Sequence, residues 1–268
     1  MSSTISEWLN LIFRWAHVFA AILWVGATYY FTWLDGQLRK APATSGVWMV
    51  HSGGFYSVLK QNTLGVEPGD VHWFRFEALA TWITGLALLG VVYYGGGLLL
   101  EADATLSHGV AVGAALGFLV VGWIVYDLLV RTPLVRNDVA FAATCFALVI
   151  AGAYGLGQIL STRATYIHVG ALFGTIMTAN VWMRILPPQR RMIAAMERGQ
   201  AVDPTLGAGA KERSKHNTFI VVPTIAIMIS NHFPTATYGN EHALTVLGML
   251  ILVGWCAAAE CASTRWRP

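Results

Sequence analysis

Seven stretches of this sequence are apolar for long enough to cross a bilayer, and that constrains the fold more than any motif. A spanning helix needs roughly 20 mostly apolar residues. The segments near 8–33, 76–98, 107–130, 139–160, 164–186, 217–233 and 242–260 meet that need, the sixth being the shortest and interrupted by Pro223. Backbone polar groups in lipid must be satisfied within the chain, so such runs are helices. The expected fold is all-α: one polytopic transmembrane bundle over residues 1–268, with about seven spans. The stretch 46–60 is too short and too glycine-rich to span, and reads as an interfacial or re-entrant segment. A charged fraction of only 12% agrees, since soluble domains carry about a quarter. The polar stretch 187–215 reads as a solvated connector.

Seven alternating spans divide the 17 Lys and Arg residues very unevenly. Arg14 and Arg163 fall on the side of the N-terminus, and the other 15 fall opposite. The positive-inside rule then puts the N-terminus outside and the C-terminus in the cytoplasm. The net charge of +3 therefore reports orientation and not a nucleic-acid partner. The first ten residues lack the basic region and cleavage site of a signal peptide, so the first helix is expected to be retained. Cys145, Cys256 and Cys261 make no C-x-x-C-H, which excludes covalent haem attachment within this sequence.

Histidines inside spans are functional candidates, because they must be satisfied without bulk water. His17, in Trp15-Ala-His-Val-Phe-Ala, and His168, in Tyr166-Ile-His-Val-Gly-Ala, share a local pattern. Counted from Trp8 and Ser161, they sit nine and seven residues into parallel helices. At 1.5 Å per residue their depths agree within a few ångströms, which suits axial ligation of a b-type haem. His232 is a rival ligand, while His108 and His242 sit at helix starts. Asp127 and Arg131 form an i,i+4 pair of structural character. Trp8, Trp33, Trp73 and Trp266 fall where an interfacial aromatic belt belongs.

A second cluster lies on the cytoplasmic side. His51-Ser-Gly-Gly-Phe-Tyr and His72-Trp-Phe-Arg-Phe-Glu77 bracket a loop that carries Lys60. Arg75 and Lys60 beside aromatic rings suit a planar anion. His72, His51 or Glu77 would move a proton, since such groups titrate near neutrality or can be tuned to do so.

These segments, with Thr81-Trp-Ile-Thr-Gly, His168-Val-Gly-Ala-Leu-Phe-Gly, Asn180-Val-Trp, Pro187-Pro-Gln-Arg and Ser230-Asn-His-Phe-Pro, resemble the membrane domain of bacterial cytochrome c-linked urate oxidases. The resemblance covers nearly the whole chain. It implies an inner-membrane oxidoreductase that converts urate to 5-hydroxyisourate and passes electrons through bound haem to a cytochrome c. In that family the cytochrome is typically fused after a further helix. Here no eighth span and no C-x-x-C-H are found up to Pro268, so the acceptor is expected to be a separate protein or a domain beyond this sequence. A looser similarity, His17 followed by Trp24-Val-Gly26, extends to haem-containing porphyrinogen oxidases and copper-handling membrane proteins. A b-type electron carrier or a copper protein is therefore the alternative reading.

Overall fold

The fifth predicted span forms the helix around which the others pack. The computed structural model describes residues 3–41, 46–61 and 71–262. Within them run α1 (Ser3–Leu38), a hairpin of β1 (Val47–His51) and β2 (Gly54–Val58), α2 (Phe76–Leu88), α3 (His108–Val130), α4 (Asp138–Gly157), α5 (Thr162–Ala179), α6 (Leu186–Glu197), α7 (Pro204–Ser230) and α8 (Ala243–Ala262). Eleven of the 18 residues of α5 are buried. It touches α2, α3, α4 and α7. α1 instead packs mainly on α2, and its far side leaves Trp8, Trp15, Phe19 and Ile22 without protein cover. An apolar face of that kind is what lipid covers.

Six helical stretches are long and apolar enough to cross a membrane: Ser3–Leu38, Phe76–Tyr94, His108–Val130, Asp138–Gly157, Thr162–Glu197 and Ala243–Cys261. The remaining predicted span, 217–233, lies mostly in α7. That helix has 27 residues, but its first half carries Lys211, Glu212, Arg213 and Lys215, which lower its hydropathy. Pro223 does not break it. Gly254 of α8 lies so close that an added Cβ would stand 2.7 Å from the Pro223 nitrogen. A small residue thus lets two helix backbones meet at the proline.

Two of the expected non-spanning segments take regular structure. The stretch 46–60 is an antiparallel hairpin pairing Val47 with Val58 and His51 with Gly54. Its two-residue turn has positive φ at Ser52 (49°) and Gly53 (75°), as the favoured tight hairpin turns require. The connector 187–215 is mostly helical. α6 starts on Pro187 and Pro188, a residue type suited to a first helical turn. α7 starts at Asp203, whose side chain accepts from the Thr205 N–H at 2.9 Å and the Thr205 hydroxyl at 2.7 Å. These bonds hold the exposed Asp203 carboxyl below its usual range. Trp266 lies outside the described residues.

Two spans continue through a π-helical turn, α2 at Leu89–Tyr94 and α5 at Asn180–Ile185. Such turns often mark functional sites. They lie toward opposite ends of the bundle. At the hairpin end α1 finishes and α2 begins; at the far end α1 and α5 begin and α7 finishes.

Candidate functional site

At the hairpin end, α2 begins at Phe76 with Arg75 in the capping position, where it makes no side-chain cap. The first N–H groups of a helix lack intrahelical partners and favour negative charge. The Arg75 guanidinium instead lies 4.8 Å over the Phe76 ring and 5.8 Å over the Trp182 ring of the second π turn. Three polar atoms here are buried with no hydrogen-bond partner among the described residues: Arg75 Nε, Trp182 Nε1 and Glu77 Oε2. Glu77 Oε1 stands 4.0 Å from Nε2 of the exposed His72, and His72 packs edge-on against Phe74 at 4.5 Å. Arg190 of α6 lies over Trp73 at 5.8 Å. Two orphan donors and one orphan acceptor thus lie at the start of α2 and on the adjoining Trp182 ring.

The other two residues expected here stand elsewhere in the network. Lys60 is paired with Asp35 at the end of α1. His51 closes the hairpin ladder opposite Gly54 and is exposed. No contact of either with Arg75, His72 or Glu77 is found among the described residues. Trp182 was missed as a site residue; its only signal was its place in Asn180-Val-Trp.

Beside this cluster lies a charge knot. Asp127 of α3 accepts from Arg184 at 2.7 Å through both carboxylate oxygens, from Arg213 at 2.8 Å and from Arg131 at 2.5 Å. Arg213 also reaches Asn180 Oδ1 at 3.3 Å. Asn180 donates to the Tyr126 hydroxyl and to Asn217 Oδ1, both at 2.9 Å. The expected Asp127–Arg131 pair is present, as part of a clamp that joins three helices.

At the far end, the first π turn turns two adjacent tyrosines inward. The Tyr93 hydroxyl donates to Asn231 Oδ1 at 2.8 Å, and Arg163 Nε reaches the same oxygen at 3.0 Å. The Tyr94 hydroxyl lies 3.0 Å from His168 Nε2, and the Tyr94 carbonyl accepts from His108 Nε2 at 2.7 Å. His168 is fully buried. His232, in the turn after α7, is exposed.

The two histidines expected to share a haem have the same tautomer. His17 Nδ1 is 2.8 Å from the Thr81 carbonyl, and His168 Nδ1 is 2.7 Å from the Ala164 carbonyl. A carbonyl only accepts, so each Nδ1 carries the proton and each Nε2 keeps its lone pair. That is the arrangement of a metal-ligating imidazole. His17 meets the remaining requirement: its Nε2 has no hydrogen-bond partner among the described residues. Gly85 leaves room beside the ring, since a Cβ there would stand 3.1 Å from His17 Cε1.

His168 does not fit the same group. Its Nε2 lone pair is taken by the Tyr94 hydroxyl. Nor do the depths agree: His17 engages α2 at Thr81, Thr84 and Gly85, whereas His168 meets Tyr94, roughly two and a half turns further along. The structure thus brings a ligand-ready His17 to one level and a differently engaged His168 to another. No group of three or more His, Cys, Asp or Glu suited to a metal ion occurs among the described residues.

A family model described as urate oxidase N-terminal matches residues 3–259. No curated protein and no solved structure matches the chain.

Proposed function

The chain belongs to the urate oxidase N-terminal family, and from that premise we propose that it oxidises urate at the start of α2. The observation that carries this reading is the trio of unpartnered buried atoms, Arg75 Nε, Trp182 Nε1 and Glu77 Oε2. An unsatisfied buried polar group costs about 1–3 kcal/mol, and a purine trione offers what each lacks. Its carbonyl edges accept from Arg75 and Trp182, and a ring N–H donates to Glu77. Aromatic rings line the site, Phe76 packing edge-on against Trp182 at 6.2 Å, while Arg75 and the α2 N-terminus favour the ligand's negative charge.

The reaction balances as urate plus water giving 5-hydroxyisourate, two protons and two electrons. Loss of electrons and protons leaves dehydrourate, and water adds at C5. Glu77 takes a ring proton and His72, 4.0 Å away, passes it to solvent. Lys60 tethers the hairpin to α1 through Asp35, and His51 stays exposed at the hairpin turn. His17 would hold the iron of a b-type haem; bound there, the haem supplies one-electron carrying capacity toward a cytochrome c-type acceptor. The charge asymmetry supports a bacterial inner membrane location with the hairpin end cytoplasmic, the side on which urate is made.

The test uses purified full chain in detergent, with loss of urate absorbance followed against ferricyanide. Trp182→Phe keeps the ring and removes the N–H, and Arg75→Gln removes the charge. Each is expected to raise KM roughly tenfold or more, as loss of a hydrogen bond to a charged ligand does. Urate turnover with wild-type KM in both variants would remove the site, and no turnover by the wild type would remove the substrate.

A further inference from the structure

We propose that the outer face of the β1–β2 hairpin is a lipid-docking surface, seated in the headgroup region of the same bilayer that α1 crosses. Residues directly opposite each other in an antiparallel pair share a face. Trp48 pairs with Ser57 and Val50 with Phe55, so these four form one face while Met49 and Tyr56 belong to the other. On the first face Trp48 and Val50 are each 69% exposed and Phe55 is 80% exposed. Three large apolar side chains thus stand together with little cover among the described residues. A two-stranded hairpin has little stability of its own in water, and leaving these side chains wet adds to the cost.

Two contacts with α1 fix the depth of the hairpin. The Tyr30 hydroxyl donates to Met49 Sδ at 3.4 Å, and Lys60, just past β2, pairs with Asp35. The two α1 residues are five positions apart, about 7.5 Å along the helix axis. Tyr30, Phe31 and Trp33 close the apolar run of α1 and are themselves exposed. Asp35 and Arg39 follow, 4.0 Å apart. The hairpin is therefore pinned across the level where apolar side chains give way to charge. Met49 faces α1, so Trp48 and Val50 on either side of it face away at the same level. Their face continues the lipid-covered surface of α1.

The chemistry of the hairpin selects the headgroup region and not the hydrocarbon. Open strand edges keep unpaired N–H and C=O groups, which the core does not tolerate and hydrated headgroups do. Aromatic rings concentrate at that level. Arg39 and Lys60 share the carboxylate of Asp35, which leaves a positive seam suited to lipid phosphates. A second copy adding a strand at the edge would use the backbone and leave this face as bare as before.

The test places the full chain, with native cysteines replaced, in nanodiscs of phosphatidylcholine and phosphatidylglycerol. Spin labels are attached at Val50→Cys, Phe55→Cys or Gln200→Cys, the last in the loop after α6. Power-saturation EPR compares access of oxygen, which concentrates in lipid, with access of a water-soluble nickel chelate. The ratio of oxygen to nickel access at positions 50 and 55 is expected to stand severalfold above that at position 200. Quenching of tryptophan fluorescence by lipids brominated high on their chains should fall in Trp48→Phe. Labels at 50 and 55 as open to nickel as the one at 200 would put this face in water and overturn the proposal. Labels shielded from oxygen and nickel alike would mean that protein covers the face, a second copy or another chain, and would overturn it equally. Quenching unchanged in Trp48→Phe would also count against it.

Discussion

At the residue scale, His17 and His168 show how local pattern and local chemistry part company. The matched hexapeptides suggested two equivalent ligands. Both rings do share a tautomer, because each Nδ1 finds a backbone carbonyl. What differs is the other nitrogen, and that depends on Tyr94, a residue 74 positions from His168. Nothing in the hexapeptide encodes it. The consequence is a prediction that separates the two rings. His17→Ala is expected to remove haem absorbance from the purified protein, while His168→Ala keeps the haem bands. Equal loss of haem in both variants would restore the paired clamp. The same limit applies at the other site: His72, Arg75 and Glu77 were legible because they crowd into six residues, whereas Trp182 is brought to them only by packing.

At the element scale, the apolar runs were legible because composition alone marks a span. The hairpin was not, since four exposed apolar residues, Trp48, Val50, Phe55 and Tyr56, fit an interfacial or re-entrant segment of any backbone shape. α6 and the first half of α7 were lost for the opposite reason: they are polar helices, with no apolar run to announce them. The π turns escaped notice because one inserted residue leaves hydropathy unchanged while rotating Tyr93, Tyr94 and Arg184 toward the core. Elements joined this way need a fastener, and Asp127 supplies it for α3, the second π turn and α7. Among the described residues it is the only carboxylate bonded to Arg184 and Arg213. Asp127→Asn should therefore cost about 3 kcal/mol, the lower end for breaking a buried pair, because Arg184 and Arg131 keep some solvent. Arg131→Gln, at a side chain 57% exposed, should cost under about 1 kcal/mol. Denaturant-induced unfolding in detergent, read by tryptophan fluorescence, gives both values. Equal costs would mean the clamp is only surface charge.

At the scale of the whole molecule, the open question is parity. Six stretches qualify as spans by length and composition, and six spans would return the chain to the side it started from. α7 bears on the matter by its length and contacts. Midway along it the Thr218 carbonyl accepts from Tyr29 at 3.1 Å, and just past its far end Asn231 accepts from Tyr93. At 1.5 Å per residue its 27 residues cover about 40 Å, long enough to cross despite a polar first half in which Arg213 and Lys215 pair with Asp127 and Asp138. Counting α7 as a span places the hairpin end, with Lys215 and the α6 arginines, opposite to the loop 234–242 that follows α7. In right-side-out vesicles of the expressed protein, with native cysteines replaced, a membrane-impermeant maleimide should label Glu241→Cys, after α7, and spare Gln200→Cys, before it. In inverted vesicles the pattern should reverse. Labelling of both positions from one side would reduce the bundle to six spans, and the reverse pattern would put the Arg75 site outside, where urate made in the cytoplasm would have to be exported before it could be oxidised.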